Sequence, residues 1–161
     1  MGIQVPKRAL LLLLLVAVAS FAADEAYSFP PNGRFVLPIP SARAIFHQCS
    51  RAAPPANAEL WEPSGKDLDE LEGSLAKYLN AREKAGKTVP PERAKYHRQY
   101  VGFTRNGERF IYGNFYPAGA EFRQYESSKP VQVCDGGHVF WGIVYRVKTK
   151  TFEEPQFNGL A

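Results

Sequence analysis

The sequence predicts an α+β fold: one amphipathic helix packed on a four- or five-stranded antiparallel meander, preceded by a Pro-rich N-terminal strap and a short helix. Three observations carry that prediction. Leu68, Leu71, Leu75, Tyr78 and Leu79 recur at helical spacing. Two β-rich runs, 96–105 and 109–115, flank Asn106-Gly107, a strong short hairpin signal. Val139, Trp141, Ile143, Tyr145 and Val147 alternate strictly, as a strand with one buried face should.

At the N-terminus, Lys7-Arg8 precedes an apolar run, 9–19, and then the small residues Ser20 and Ala22. A short basic segment, about a dozen apolar residues and a small-residue end have the layout of a secretory signal. The run falls short of the roughly 20 apolar residues that a spanning helix needs. A signal peptide over 1–22 is therefore expected, cut after Ala22, with Ala19 as the alternative. The protein is then periplasmic or secreted, with no stable membrane insertion after cleavage. What remains is 139 residues, enough for one domain that buries about two-thirds of its unfolded surface. Losing Lys7 and Arg8 lowers the formal charge from +4 to +2. The remaining basic and acidic residues are interspersed, without the basic stripe of a nucleic-acid binder, so no nucleic-acid partner is expected.

Residues 23–60 form the strap. Pro30, Pro31, Pro38 and Pro40 exclude a helix there and interrupt any ladder, leaving Phe35, Val36, Leu37 and Ile39 to lie along the surface. Ser41 reads as the N-cap of a short helix over 42–50, which would put Ile45 and Cys49 on one face. Residues 51–59, with Pro54-Pro55, read as a linker. The α+β domain proper is 61–161.

That domain opens on the long helix. Ser64-x-x-Asp67 and Asp67-x-x-Glu70 both have capping-box form. Asp67, Asp69, Glu70 and Glu72 crowd the first turns and Arg82 and Lys84 the last, as the helix dipole favours; the acidic cluster reads as a solvated helix start. Gly86 is the stop, and Pro90-Pro91 prevent resumption. A further helical turn is expected at 92–95.

A two-residue turn at Asn106-Gly107 sets Phe103 opposite Phe110, Val101 opposite Tyr112 and Gln99 opposite Asn114. On the other face Gly102 meets Ile111, Tyr100 meets Gly113 and Arg98 meets Phe115. The first set is richer in apolar side chains and is expected to face the helix. Residues 116–130 connect, anchored by Phe122 and Tyr125. The stretch 131–147 then reads as the central hairpin of the sheet, turning at Asp135-Gly136-Gly137. After a turn at 148–150, residues 151–157 form an edge strand, where Pro155 hinders further pairing.

Two cysteines in an exported chain predict a disulfide, Cys49–Cys134. Asp135 and His138 are the one carboxylate–imidazole pair close in sequence. They are weak catalytic candidates, since turn chemistry accounts for both more simply. The histidines, cysteines and Asp135 lack any close paired metal-ligand spacing, so no metal and no cofactor is expected. Tyr100, Tyr112 and Trp141 are weak binding candidates within an aromatic set that also contains Trp61, Tyr96, Tyr116 and Tyr145. Aromatics at strand spacing are more often core than platform.

From Trp61 onward the chain resembles a family of small exported bacterial proteins of unknown function. The resemblance rests on Trp61-x-Pro63, Tyr96-His97-Arg98-Gln99-Tyr100-x-Gly102 and Arg109-x-Ile111-Tyr112-x-Asn114-Phe115. It continues through Val133-Cys134-Asp135-Gly136-Gly137, Phe140-Trp141-Gly142 and Phe157-Asn158-Gly159-x-Ala161. It implies no activity. A helix followed by a meander also resembles cystatin-like inhibitors, whose inhibitory loop reads Gln-x-Val-x-Gly. Here Gln132-Val133-Cys134-Asp135-Gly136 has Cys at the central position, and Gln99-Tyr100-Val101-Gly102-Phe103 lacks the final glycine. The expectation is an exported, disulfide-stabilised, non-enzymatic binding or interaction module with an unknown protein or glycan partner, in its most concrete form an inhibitor of an envelope hydrolase. The alternative is a small hydrolase using Asp135 and His138.

Overall fold

Asn106 and Gly107 take positive φ values of 53° and 75°, the conformation that a two-residue hairpin turn matched to strand twist requires. They close β3 (Tyr96–Arg105) onto β4 (Glu108–Pro117) in the predicted register, from Phe103 opposite Phe110 to Arg98 opposite Phe115. In this computed structural model the described residues are 27, 29, 32–91, 95–123, 125 and 127–160. The expected signal segment and most of the expected turn at 92–95 lie outside them.

The elements in order are β1 (Arg34–Val36), α1 (Ile39–Ala42) running into a 3-10 turn (Arg43–Phe46), β2 (Glu59–Trp61), α2 (Gly65–Lys84), β3 and β4. There follow β5 (Trp141–Arg146), β6 (Thr151–Phe152) and β7 (Gln156–Phe157). The fold is α+β, a long helix on a seven-stranded sheet. The sheet is mixed, not the expected antiparallel meander, because the strap adds β1 parallel to β3, with Arg34 beside Arg98 and Val36 beside Tyr100. The expected linker likewise ends in a strand, β2, antiparallel to β3. One edge of β3 is thus covered by two short segments, over Arg98–Tyr100 and over Gly102–Thr104. At the other edge of the sheet the expected strand 151–157 is divided in two around the buried Pro155, which has no N–H to donate.

Helix α2 begins as its sequence dictates. The Asp67 N–H donates to Ser64 Oγ at 3.3 Å, and the Ser64 N–H donates to Asp67 Oδ2 at 2.9 Å, a complete capping box. That bonding, Ser64 first, holds the Asp67 carboxyl below its ordinary pKa. The helix ends at Gly86, φ 67°. Leu68, Leu71, Leu75, Ala76 and Leu79 are buried, and Tyr78 packs against Phe152 with its ring at 4.9 Å.

The helix covers the face opposite to the expected one. Its leucines pack with Tyr96, Tyr100, Ile111, Phe115, Trp141, Ile143 and Tyr145, whereas Val101, Phe103, Phe110, Tyr112 and Val144 form a second core with Leu37, Ala42, Ile45 and Phe46 under α1. The reason lies in the glycines that made the face under α2 look poor in side chains. A Cβ on Gly113 would stand 2.7 Å from the Phe115 ring and 2.9 Å from that of Tyr100, so neighbouring aromatics fill its place. The Trp61 ring does the same at Gly102. Tyr27 and Phe29 enter this core as well, Tyr27 donating to the Pro90 carbonyl at 2.8 Å.

Helix α1 starts two residues before the predicted Ser41 cap, with Pro40 in its first turn, where a missing N–H is not needed. It is spent by Phe46, so Ile45 and Cys49 do not share a helical face; Ile45 is core and Cys49 is exposed beyond the helix. In the connection 116–130, Phe122 is an anchor, 5.3 Å from the Tyr116 ring and 6.0 Å from Phe140. Tyr125 is exposed.

Candidate functional site

The stretch 131–140 holds the Asp135–His138 pair, and it is not the strand and turn that sequence suggested. Residues 131–136 make no ladder, a 3-10 turn spans Gly137–Val139, and the strand starts only at Trp141. Side chains replace the missing ladder. Gln99 Oε1 accepts from the Val131 N–H at 2.8 Å, Asn114 Nδ2 donates to the Val131 carbonyl at 2.9 Å, and Gln99 Nε2 donates to the Lys129 carbonyl at 2.7 Å. Gln99 and Asn114 are themselves bonded at 3.2 Å, both buried. Two amides opposite one another in the hairpin therefore imitate a β-bridge to a segment that is not a strand.

The predicted disulfide, Cys49–Cys134, fastens the same segment, with its Cα atoms 5.1 Å apart. Arg51, two residues from Cys49, reaches across it. Its guanidinium donates to the side-chain oxygens of Asn114 and Asn158 and, through Nε, to the Tyr112 hydroxyl at 3.3 Å. Asn158 Nδ2 then donates to the Val133 carbonyl and, at 2.9 Å, to that of Asp135. Asp135 thus serves through its backbone, while its carboxylate and the His138 ring are exposed. His138 lies against Phe157, ring centroids 4.8 Å apart. No nucleophile, cavity or hydrogen bond joins the two side chains among the described residues.

The three aromatic candidates are interior. Trp141 is stacked on Phe115 at 3.8 Å under α2. Tyr112 lies in the second core, its hydroxyl against Gly142. Tyr100 is fully buried and donates to Glu72 Oε1 at 2.8 Å. Burial first, and then the Glu72 charge, push the Tyr100 hydroxyl well above its ordinary pKa. None presents a ring face to solvent.

Glu72 corrects the reading of the acidic helix start as wholly solvated. Asp69 is exposed, but Glu72 is buried against Arg98, whose side chain has no exposed surface. Arg34 donates to Asp69 at 2.7 Å and to Glu72 at 3.3 Å, and the Asp69 bond raises the pKa of the Arg34 guanidinium. Periodicity carried the signal: Glu72 falls four residues after Leu68 and three before Leu75, on the buried stripe. Arg51 and Asn158 were missed for a different reason. Each acts across more than 60 residues of sequence, and no local pattern reports that.

The concavities among the described residues include two that are open to solvent. The first, of about 330 Å³, runs between residues 52–55 and 153–156, with Gly142 and Val144 of β5 and Tyr112 beneath it. Its walls mix apolar and polar groups, and the ion pair Arg105–Glu153 closes one side. That volume is at the lower end of the range typical of small-ligand pockets. The second, of about 540 Å³, lies between α1 and residues 129–132. Among the described residues no three His, Cys, Asp or Glu side chains are grouped to hold a metal ion, and no helix is long and apolar enough to cross a membrane.

Comparison with known protein families, curated proteins and solved structures returned no match.

Proposed function

We propose that the protein is an exported, non-enzymatic binding module and that the groove between residues 52–55 and 153–156 receives its partner. The groove carries this reading. It combines apolar walls from Ala53, Pro54 and Val144 with a polar edge from Arg105 and Glu153, a composition suited to holding a partner. The signal-like start and the Cys49–Cys134 disulfide support the exported setting.

The hydrolase reading needs Asp135 and His138 to converge on a bound substrate, and the geometry favours it nowhere. Inhibition of an envelope hydrolase is the concrete form of the binding proposal, but it does not run through a cystatin-type loop. Cys134 is committed to the disulfide, and the Gln99–Phe103 segment is buried within β3. In this reading the groove is the surface that engages such an enzyme.

Ala52 lines the groove and is exposed, so Ala52→Arg obstructs it without touching either core. The test is paired capture from an envelope extract, followed by assay of any recovered hydrolase with and without the protein. A component retained by the wild type and lost by Ala52→Arg is the expected result. Equal recovery by both, or none by either, counts against the groove.

A further inference from the structure

From Ala26 to Ala58 the chain contains no aspartate or glutamate. Part of that segment forms one wall of the second groove, carrying Pro40, Arg43 and His47, and the other wall carries Lys129, Pro130 and Gln132. The walls are tied together: Gln132 Nε2 donates to the Ala44 and His47 carbonyls at 2.8 and 2.7 Å. The groove is thus preformed and not assembled by its ligand.

Its electrostatics are one-sided. Arg43 and Lys129 give a formal charge of +2, His47 adds a further ring donor, and no carboxylate is among the described lining residues. Arg43 is partly occupied, donating to the Ala56 and Ala58 carbonyls. The Lys129 ammonium and the His47 imidazole are exposed and have no hydrogen-bond or ion-pair partner among the described residues. A charge of +2 matches a phosphate monoester, which carries about −1.5 to −2 at neutral pH and offers three acceptor oxygens, better than it matches a single carboxylate.

We propose that this groove binds a small phosphate-bearing molecule, held by Lys129, His47 and Arg43. The site is separate from the groove assigned to the protein partner, and the two stand or fall independently.

The test uses the disulfide-bonded protein, titrated with inorganic phosphate and with glycerol phosphate while chloride holds ionic strength constant, and followed by calorimetry and by amide shifts. Binding should saturate and should shift resonances around residues 43–47 and 129–132. Combining Lys129→Ala with His47→Ala should weaken it by about tenfold, the equivalent of about 1.4 kcal/mol. Lys129→Glu should abolish it. Thermal unfolding should be unchanged in both, because among the described residues Lys129 and His47 bond to the fold through backbone groups and not through their side chains. Ala52→Arg should leave phosphate binding intact. A linear, unsaturable response overturns the proposal, as does affinity that survives Lys129→Glu in a folded variant.

Discussion

Glu72 and Arg98 meet across the helix–sheet interface, with one Glu72 oxygen accepting from Arg98 Nε at 3.0 Å and from Nη2 at 2.8 Å. The same oxygen accepts from Tyr100. The remaining Arg98 donors reach the Tyr96 carbonyl at 3.1 Å and the Asn32 carbonyl at 3.4 Å, and Phe29 lies beside the guanidinium. A charged pair is tolerated in this core because its donors and acceptors are met on every side.

Breaking that pair should therefore be costly. Glu72→Ala leaves a buried guanidinium without its counter-charge and is expected to lose about 3–5 kcal/mol in denaturant unfolding. Combining Glu72→Leu with Arg98→Met should recover much of the loss, since apolar replacements of similar volume remove both desolvated charges. A double variant as unstable as Glu72→Ala would show that Arg98 matters chiefly through the Asn32 and Tyr96 carbonyls.

Alkaline pH should unfold the protein through Tyr100. Its folded-state pKa is raised above the unfolded value, so the associated stability is intact below the ordinary tyrosine range, near pH 10, and is lost as pH rises above it. Tyr96 and Tyr145 are raised in the same direction, in both cases chiefly by burial. Tyr100→Phe should be less stable at neutral pH, for want of the bond to Glu72, yet lose less stability between pH 9 and 11. The check is the unfolding midpoint against pH for both proteins.

The disulfide should be quantitative and stabilising. Intact mass after alkylation without reductant should show no added label, and two labels after reduction. Cys134→Ser paired with Cys49→Ser should cost about 2–5 kcal/mol, in line with a cross-link spanning 85 residues. Hydrogen exchange should rise most in 131–139, the segment with no ladder of its own.

Gly113→Ala should destabilise by about 1–3 kcal/mol, because its Cβ would press into the Phe115 and Tyr100 rings. Gly73→Ala is the control, an exposed helical position with nothing near the added carbon. It should be neutral or slightly stabilising.

These contrasts mark what is legible in one sequence. The hairpin register, the α2 cap and stop, and the cysteine pairing all rest on local chemistry or on a single pair, and each was readable. The helix-facing side of the hairpin was not, since counting apolar side chains scores Gly102 and Gly113 as gaps when neighbouring rings occupy them. Residues 131–134 carry strand-like Val-Gln-Val yet form no strand, because Gln99 and Asn114 meet them with side-chain amides. The two grooves were invisible too. Each lies between segments far apart in the chain, and nothing in either segment alone announces a cleft.

The strap that lies along β3 has a consequence for the order in which the protein is made. Tyr27, Phe29 and β1 leave the ribosome early, but their seats on Arg98, Tyr100 and Phe115 are synthesised much later. Asn158, which ties Arg51 to the 133–135 backbone, comes nearly last. The native core cannot close on a half-made chain. The segments that complete the core are the last to be made, so its native packing waits on nearly the whole polypeptide.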